Sequence, residues 1–138
     1  MRVVVDTNVL VSALLTLSGV PAQVLTRLLS GEAVVLYDDR ILREYREVLA
    51  RAKFKFDPGE VGAVLELLTA KGESVTAAPL VGVVELPDPK DVPFLEVAVA
   101  GQADALVTGN ARHFPDTRGV DLLTPRELLD RLESVDEP

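Results

Sequence analysis

The sequence predicts an α/β fold: one domain with a mostly parallel sheet and helices on both of its faces. Three observations carry that prediction. Short runs rich in Val and Leu alternate with longer segments of helical period, in the order β-α-α-β-α-α-β-α-β-β-α. The runs, such as Val3 to Val5, are apolar throughout rather than every second residue, which marks strands buried on both faces. Parallel strands also need long crossover connections, and helices placed between them cover the sheet.

Each element has a local cause. Val3 to Val5 is the first strand, and the segment from Val9 to Leu17 has helical character until Ser18-Gly19-Val20-Pro21 interrupts it. A second helix runs from Pro21, a residue suited to a first turn, to Leu29, and Gly31 ends it. Ala33 to Leu36 reads as a short strand. Asp38-Asp39 then offers caps for a helix through roughly Ala52. The next helix spans Pro58 to Lys71, with Gly72 as its stop. From Glu73 to Pro87 the chain is rich in Val and Pro without helical period, so strand or extended loop is expected. Asp88-Pro89-Lys90-Asp91 leads into an almost wholly apolar helix, Phe94 to Ala100, which must be central. Ala105 to Thr108 and Val120 to Leu123 complete the strands, and Thr124-Pro125-Arg126-Glu127 opens the last helix as a capping box. Residues 134–138 are expected to fray.

Composition bounds the function. The 138 residues suffice for one buried core, and with 48% hydrophobic content but only four Phe, two Tyr and no Trp, that core is aliphatic. Without Cys there are no disulfides, thiolate metal sites or thiol nucleophiles, so any metal must be hard and held by oxygen. No apolar stretch reaches the roughly 18 residues of a membrane span and no cleavage-site pattern follows the first, so a cytoplasmic protein is expected. The net charge of −8 argues against a binder that depends on phosphate contacts alone. A cation held by carboxylates would reverse that sign locally.

The acids stand at informative places. Asp6 follows the first strand with no spacer, where ligands of parallel sheets bind, although it could equally start a turn while Asn8 caps the helix. If that strand lies beside Ala105 to Thr108, Asp6 and the Thr108-Gly109-Asn110 turn meet in one crevice. On the third helix Ile41, Leu42, Tyr45, Val48, Leu49 and Ala52 form one stripe. Glu44 lies about 95° and Glu47 about 155° from its centre, so Glu44 can lean into a crevice while Glu47 faces water. An ordinary pair with Arg40 would also explain Glu44. Asp88 and Asp91 flank the turn before the central helix, where Asp91 can equally serve as its cap. Thr7, Asn8, Ser12 and Thr108 could orient carboxylates or water, though strand-end and cap bonds explain them too. Arg51-Ala52-Lys53-Phe54-Lys55-Phe56 is the one basic tract with interleaved aromatics, and Arg51, Lys53 and Lys55 could guide single-stranded RNA. The plainer view is two core Phe and solvated Lys.

Together, Asp6-Thr7-Asn8-Val9-Leu10-Val11-Ser12-Ala13-Leu14, Glu44-Tyr45-Arg46-Glu47-Val48-Leu49, Asp88-Pro89-Lys90-Asp91 with Phe94-Leu95, and Ala103-Asp104-Ala105-Leu106-Val107-Thr108-Gly109-Asn110 closely resemble the PIN domain, in particular its VapC-like toxin branch. The resemblance implies an α/β/α sandwich over residues 1–133 and a Mg²⁺- or Mn²⁺-dependent ribonuclease acting on RNA. It places the site on Asp6, Glu44 and Asp91, with Asp88 an outer participant, and further suggests a homodimer and an antitoxin partner. Carboxylates about 4 Å apart repel by about 4 kcal/mol at an effective dielectric of 20, a conflict that a divalent ion removes. Asp6 and Asp91 are expected as primary ligands, with Glu44 acting through water or orienting the nucleophile.

One position departs from the family pattern. Relatives place a fourth acid where this chain has Asn110 or His113. Asn110 could offer a carbonyl oxygen to the site, Asp116 could substitute, and His113 is expected to be a structural or surface residue. The rival reading is a catalytically weakened PIN-like interaction module acting through a protein or RNA partner. An aspartyl-phosphate phosphatase would want a second Asp where Asn8 stands, and no glycine-rich phosphate loop is present.

Overall fold

A computed structural model describes residues 1–136. Strand β1 (Arg2–Val5) is followed by helices α1 (Thr7–Leu15) and α2 (Val20–Leu29), then β2 (Val34–Tyr37), α3 (Asp39–Leu49) and α4 (Pro58–Lys71). After β3 (Glu73–Ser74) come α5 (Val92–Ala100), β4 (Ala105–Val107), β5 (Asp121–Leu123) and α6 (Pro125–Asp136). Single 3-10 turns occupy Ala52–Phe54, Pro89–Asp91 and Ala111–His113.

The five strands are all parallel, in the order β3-β2-β1-β4-β5. Val3 pairs with Val35 on one side and Ala105 on the other, so β1 is the centre from which the chain winds outward in both directions. Val3, Val4, Val5, Ala105, Leu106 and Val107 are all fully buried, which is why these runs show no alternation. Helix α5 packs across β1, β2 and β4, while α2 packs against α1, α4 and α6. The result is a single three-layer α/β/α domain. No single helix among the described residues is long and apolar enough to cross a membrane.

The expected caps form. Asp38 accepts from Ile41 N at 3.0 Å, and Thr124 and Glu127 exchange bonds of 3.0 and 3.1 Å between side chain and backbone N–H. Gly72 is required where α4 ends against β2, since an added Cβ would come within 2.4 Å of the Val35 carbonyl oxygen.

Several boundaries differ from expectation. Helix α1 starts at Thr7 rather than Val9, because Asp6 already sits in extended geometry at its N-cap position. Helix α3 stops at Leu49, and the chain turns through Lys55, whose φ of 56° is left-handed. Of the segment from Glu73 to Pro87 only Glu73 and Ser74 pair as a strand. The rest is irregular and is held in part by Arg118, whose guanidinium donates to the carbonyls of Val81 at 2.6 Å and Val83 at 3.1 Å. Helix α6 continues to Asp136, past the expected start of the tail at 134, and residues 137–138 of that tail lie outside the described residues.

Candidate active site

The end of β1 delivers Asp6 to the boundary with β4, where Asp6 N donates to the Val107 carbonyl at 2.8 Å. Asp6 is 4% exposed and makes no capping bond to α1. Its Oδ2 instead accepts the Thr108 hydroxyl at 2.7 Å and the Asn8 amide at 3.1 Å. Asn8, inside the first turn rather than capping it, accepts from Gly109 N at 3.1 Å and so ties α1 to the turn after β4. Burial raises the Asp6 pKa, against the opposing effects of the Thr108 bond and the nearby His113.

Glu44 reaches the same place from α3. Its carboxylate accepts the Thr7 hydroxyl, and Glu47 is exposed, as the helical stripe requires. Arg40 does not pair with Glu44; it bridges Asp38 and Glu96, each at 2.7 Å, and so links α3 to α5. Burial raises the Glu44 pKa, the Thr7 bond opposes it, and Asp6 and Asp88 raise it further.

Asp91 occupies the N-cap position of α5 but makes no capping bond. Its Oδ2 is buried without a hydrogen-bond partner, the one such side-chain atom among the described residues. Burial first, then repulsion from Asp6, pushes its pKa to about 6. Asp88 stands exposed at the turn and accepts from Lys90 N at 2.9 Å.

These acids share one cavity of about 330 Å³, whose wall also includes Thr7, Asn8, Arg51, Phe54, Lys90 and His113. Among the described residues no three His, Asp or Glu side chains are close enough to form a ready-made metal cage. His113, expected to be a structural or surface residue, keeps 40% of its side chain exposed and also lines this cavity. Its Nδ1 lies 3.6 Å from Asp91 Oδ2 and 4.0 Å from Asp6 Oδ2. Asn110 turns its side-chain oxygen to Arg112 N at 3.2 Å, not toward the acids. Asp116 is bonded to Arg118 and lies outside this cavity. Ser12, Lys53 and Lys55 are exposed and also outside its lining. Neither Phe54 nor Phe56 is fully buried; they stack with centroids 5.4 Å apart, and Phe54 faces the acids. Lys90 was not singled out from the sequence, although its place between Asp88 and Asp91 puts it on the same turn.

A model of the PIN domain matches residues 2–112. The chain belongs to the PIN domain family. PIN domains are, as a family, nucleases. The matched span holds Asp6, Glu44, Asp88 and Asp91 and ends one residue before His113. Among solved structures this PIN domain is similar to VapBC2 from Rickettsia felis, crystallised bound to a DNA fragment from their promoter. That likeness has a TM-score of 0.60 at 16% identity over 90% of this chain and 98% of the other, and is one of fold. No curated protein sequence matches the chain.

Proposed function

We propose that this PIN domain is a divalent-metal-dependent endoribonuclease and the toxin of a toxin–antitoxin pair. The observation that carries the reading is the buried, unpartnered Asp91 oxygen sharing a cavity with Asp6 and Glu44. A buried carboxylate oxygen without a donor is expensive, and a cation answers that deficit.

The donors are all oxygen, which suits Mg²⁺ or Mn²⁺ bound through one or two carboxylates and several waters. Asp6 and Asp91 would hold the ion directly, with Asp88 an outer participant. The ion, when bound, supplies electrophilic stabilisation of the scissile phosphate and an activated water. Glu44, oriented by Thr7 and with a raised proton affinity, would be placed to orient a water in the cavity and to hold its proton. Thr108 and Asn8 fix one Asp6 oxygen and leave its carboxylate in a single orientation. Arg51 and Lys90 line the cavity without an ion pair among the described residues, in a chain whose other cavity-lining charges are acidic apart from His113. They offer RNA phosphates two cations, of which Lys90 also acts on the Glu44 carboxylate, and Phe54 beside them offers an aromatic surface to a base.

Family kinship and the likeness to VapBC2 support an antitoxin partner, and we extend the proposal to a homodimer working in the cytoplasm. A second reading, a catalytically weakened interaction module, draws on the missing fourth acid, since Asn110 faces away and Asp116 is engaged by Arg118. Incubating the protein with single-stranded and structured RNAs, with Mg²⁺, Mn²⁺ or chelator, tests both. Cleavage only with metal is expected. Tight Mn²⁺ binding without cleavage of any RNA would favour the module.

A further inference from the structure

His113 is the single histidine of the chain, and the bonds around it fix where its ring proton sits. The Arg112 backbone N–H can only donate, and it lies 3.2 Å from Asn110 Oδ1, which settles which end of that amide is oxygen. The other end, Nδ2, then lies 3.0 Å from His113 Nε2. An amide nitrogen offers only protons, so Nε2 must accept, and a neutral ring must carry its proton on Nδ1. That Nδ1 points into the cavity, 3.6 Å from Asp91 Oδ2 and 4.0 Å from Asp6 Oδ2. Both separations exceed a hydrogen bond, so the N–H has no acceptor among the described residues. One oxygen atom of a ligand can lie within about 2.9 Å of this N–H while remaining beside the acids.

We propose that His113 is a substrate-positioning donor: locked as the Nδ1–H form by Arg112 and Asn110, it binds a non-bridging oxygen of the substrate phosphate and does not ligate the metal. The phosphate contact rests on the nuclease reading, whereas the locked proton does not. A nitrogen ligand would have to shed that proton and would leave Asn110 Nδ2 facing a second donor. The fourth position of this site thus supplies a hydrogen-bond donor in place of a carboxylate, which attracts the anionic substrate where an acid would repel it.

Because only one histidine is present, ¹⁵N spectra of histidine-labelled protein report this ring alone. The neutral ring of the metal-free protein should show Nδ1–H, and Asn110→Leu should relax it to a mixture. An Nε2–H ring in the wild type overturns the lock. Saturating Mg²⁺ should leave Nδ1–H in place, and its loss would make His113 a ligand. In a Glu44→Gln background, where substrate stays intact, His113→Leu should weaken binding of a single-stranded RNA about 10- to 100-fold, and His113→Gln should recover part of it. Equal affinity of the Leu variant overturns the phosphate contact. Failure of the wild type to cleave RNA would sink the nuclease reading without altering either the spectral or the binding result.

Discussion

The Tyr45 hydroxyl donates a 2.5 Å hydrogen bond to the Val5 carbonyl oxygen, and both residues are fully buried. Val5 immediately precedes Asp6 and Tyr45 immediately follows Glu44, so this bond sets the spacing of two acids that stand on different elements. Burial, with the charges of Asp6 and Glu44, raises the phenol pKa well above its usual value and so favours the donor form. Tyr45→Phe should lower stability by about 1 kcal/mol in urea titrations. Cleavage should fall further than that loss explains, by about tenfold, because the acids lose their mutual distance. Unchanged kcat would assign the bond to folding alone.

Asp6→Asn keeps an oxygen for Thr108 and Asn8 but removes the charge. Metal-dependent cleavage should disappear while circular dichroism and melting stay close to wild type. Undiminished activity with Mn²⁺ would refute the assignment.

Asp91 gives the metal-free protein a pH signature. Its folded pKa of about 6 lies above the ordinary 3.8, so between about pH 4 and pH 6 the unfolded chain releases this proton first. The contribution of Asp91 to stability therefore falls as pH rises through that window, and the raised pKa values of Asp6 and Glu44 act in the same sense. Asp91→Asn should flatten the decline and stabilise the metal-free fold at pH 7 by on the order of 1 kcal/mol. Added Mn²⁺ should raise the melting temperature of the wild type more than that of the variant. A variant less stable than wild type in chelator would contradict this account.

Arg51→Gln and Lys90→Gln should each make RNA binding less salt-dependent, by about 0.7 in the logarithmic slope for a single-stranded ligand. Charge reversal at Lys53 and Lys55, outside the cavity lining, should change it less. The reverse ranking would move the RNA path onto the 3-10 turn.

The strands were legible because burial on both faces writes itself as unbroken apolar runs, and the caps because Asp38 and Thr124 pair with residues three positions away. Glu44 was legible from helix geometry alone. The cavity contact of His113 and the direction of the Asn110 oxygen were not legible, for a common reason. Both depend on a 3-10 turn that directs the Asn110 oxygen to Arg112 N and brings the His113 ring to Asp6 and Asp91, and a turn of three residues leaves no period to read. Lys90 escaped notice because a lone Lys between two Asp looks like a solvated turn. The pairing of Arg40 with Glu96 rather than Glu44 is a contact between helices 56 residues apart, beyond any local rule.

The irregular stretch fastened by Arg118 divides the polypeptide between its acids, with Asp6 and Glu44 before it and Asp91 and His113 after it. A protease nick near the exposed Val81 or Val83 would leave two fragments, each holding half of the chemistry. Because β1 from the first half is zipped to β4 from the second, those halves should stay docked, and the molecule offers a natural seam for building a conditional, two-piece version of itself.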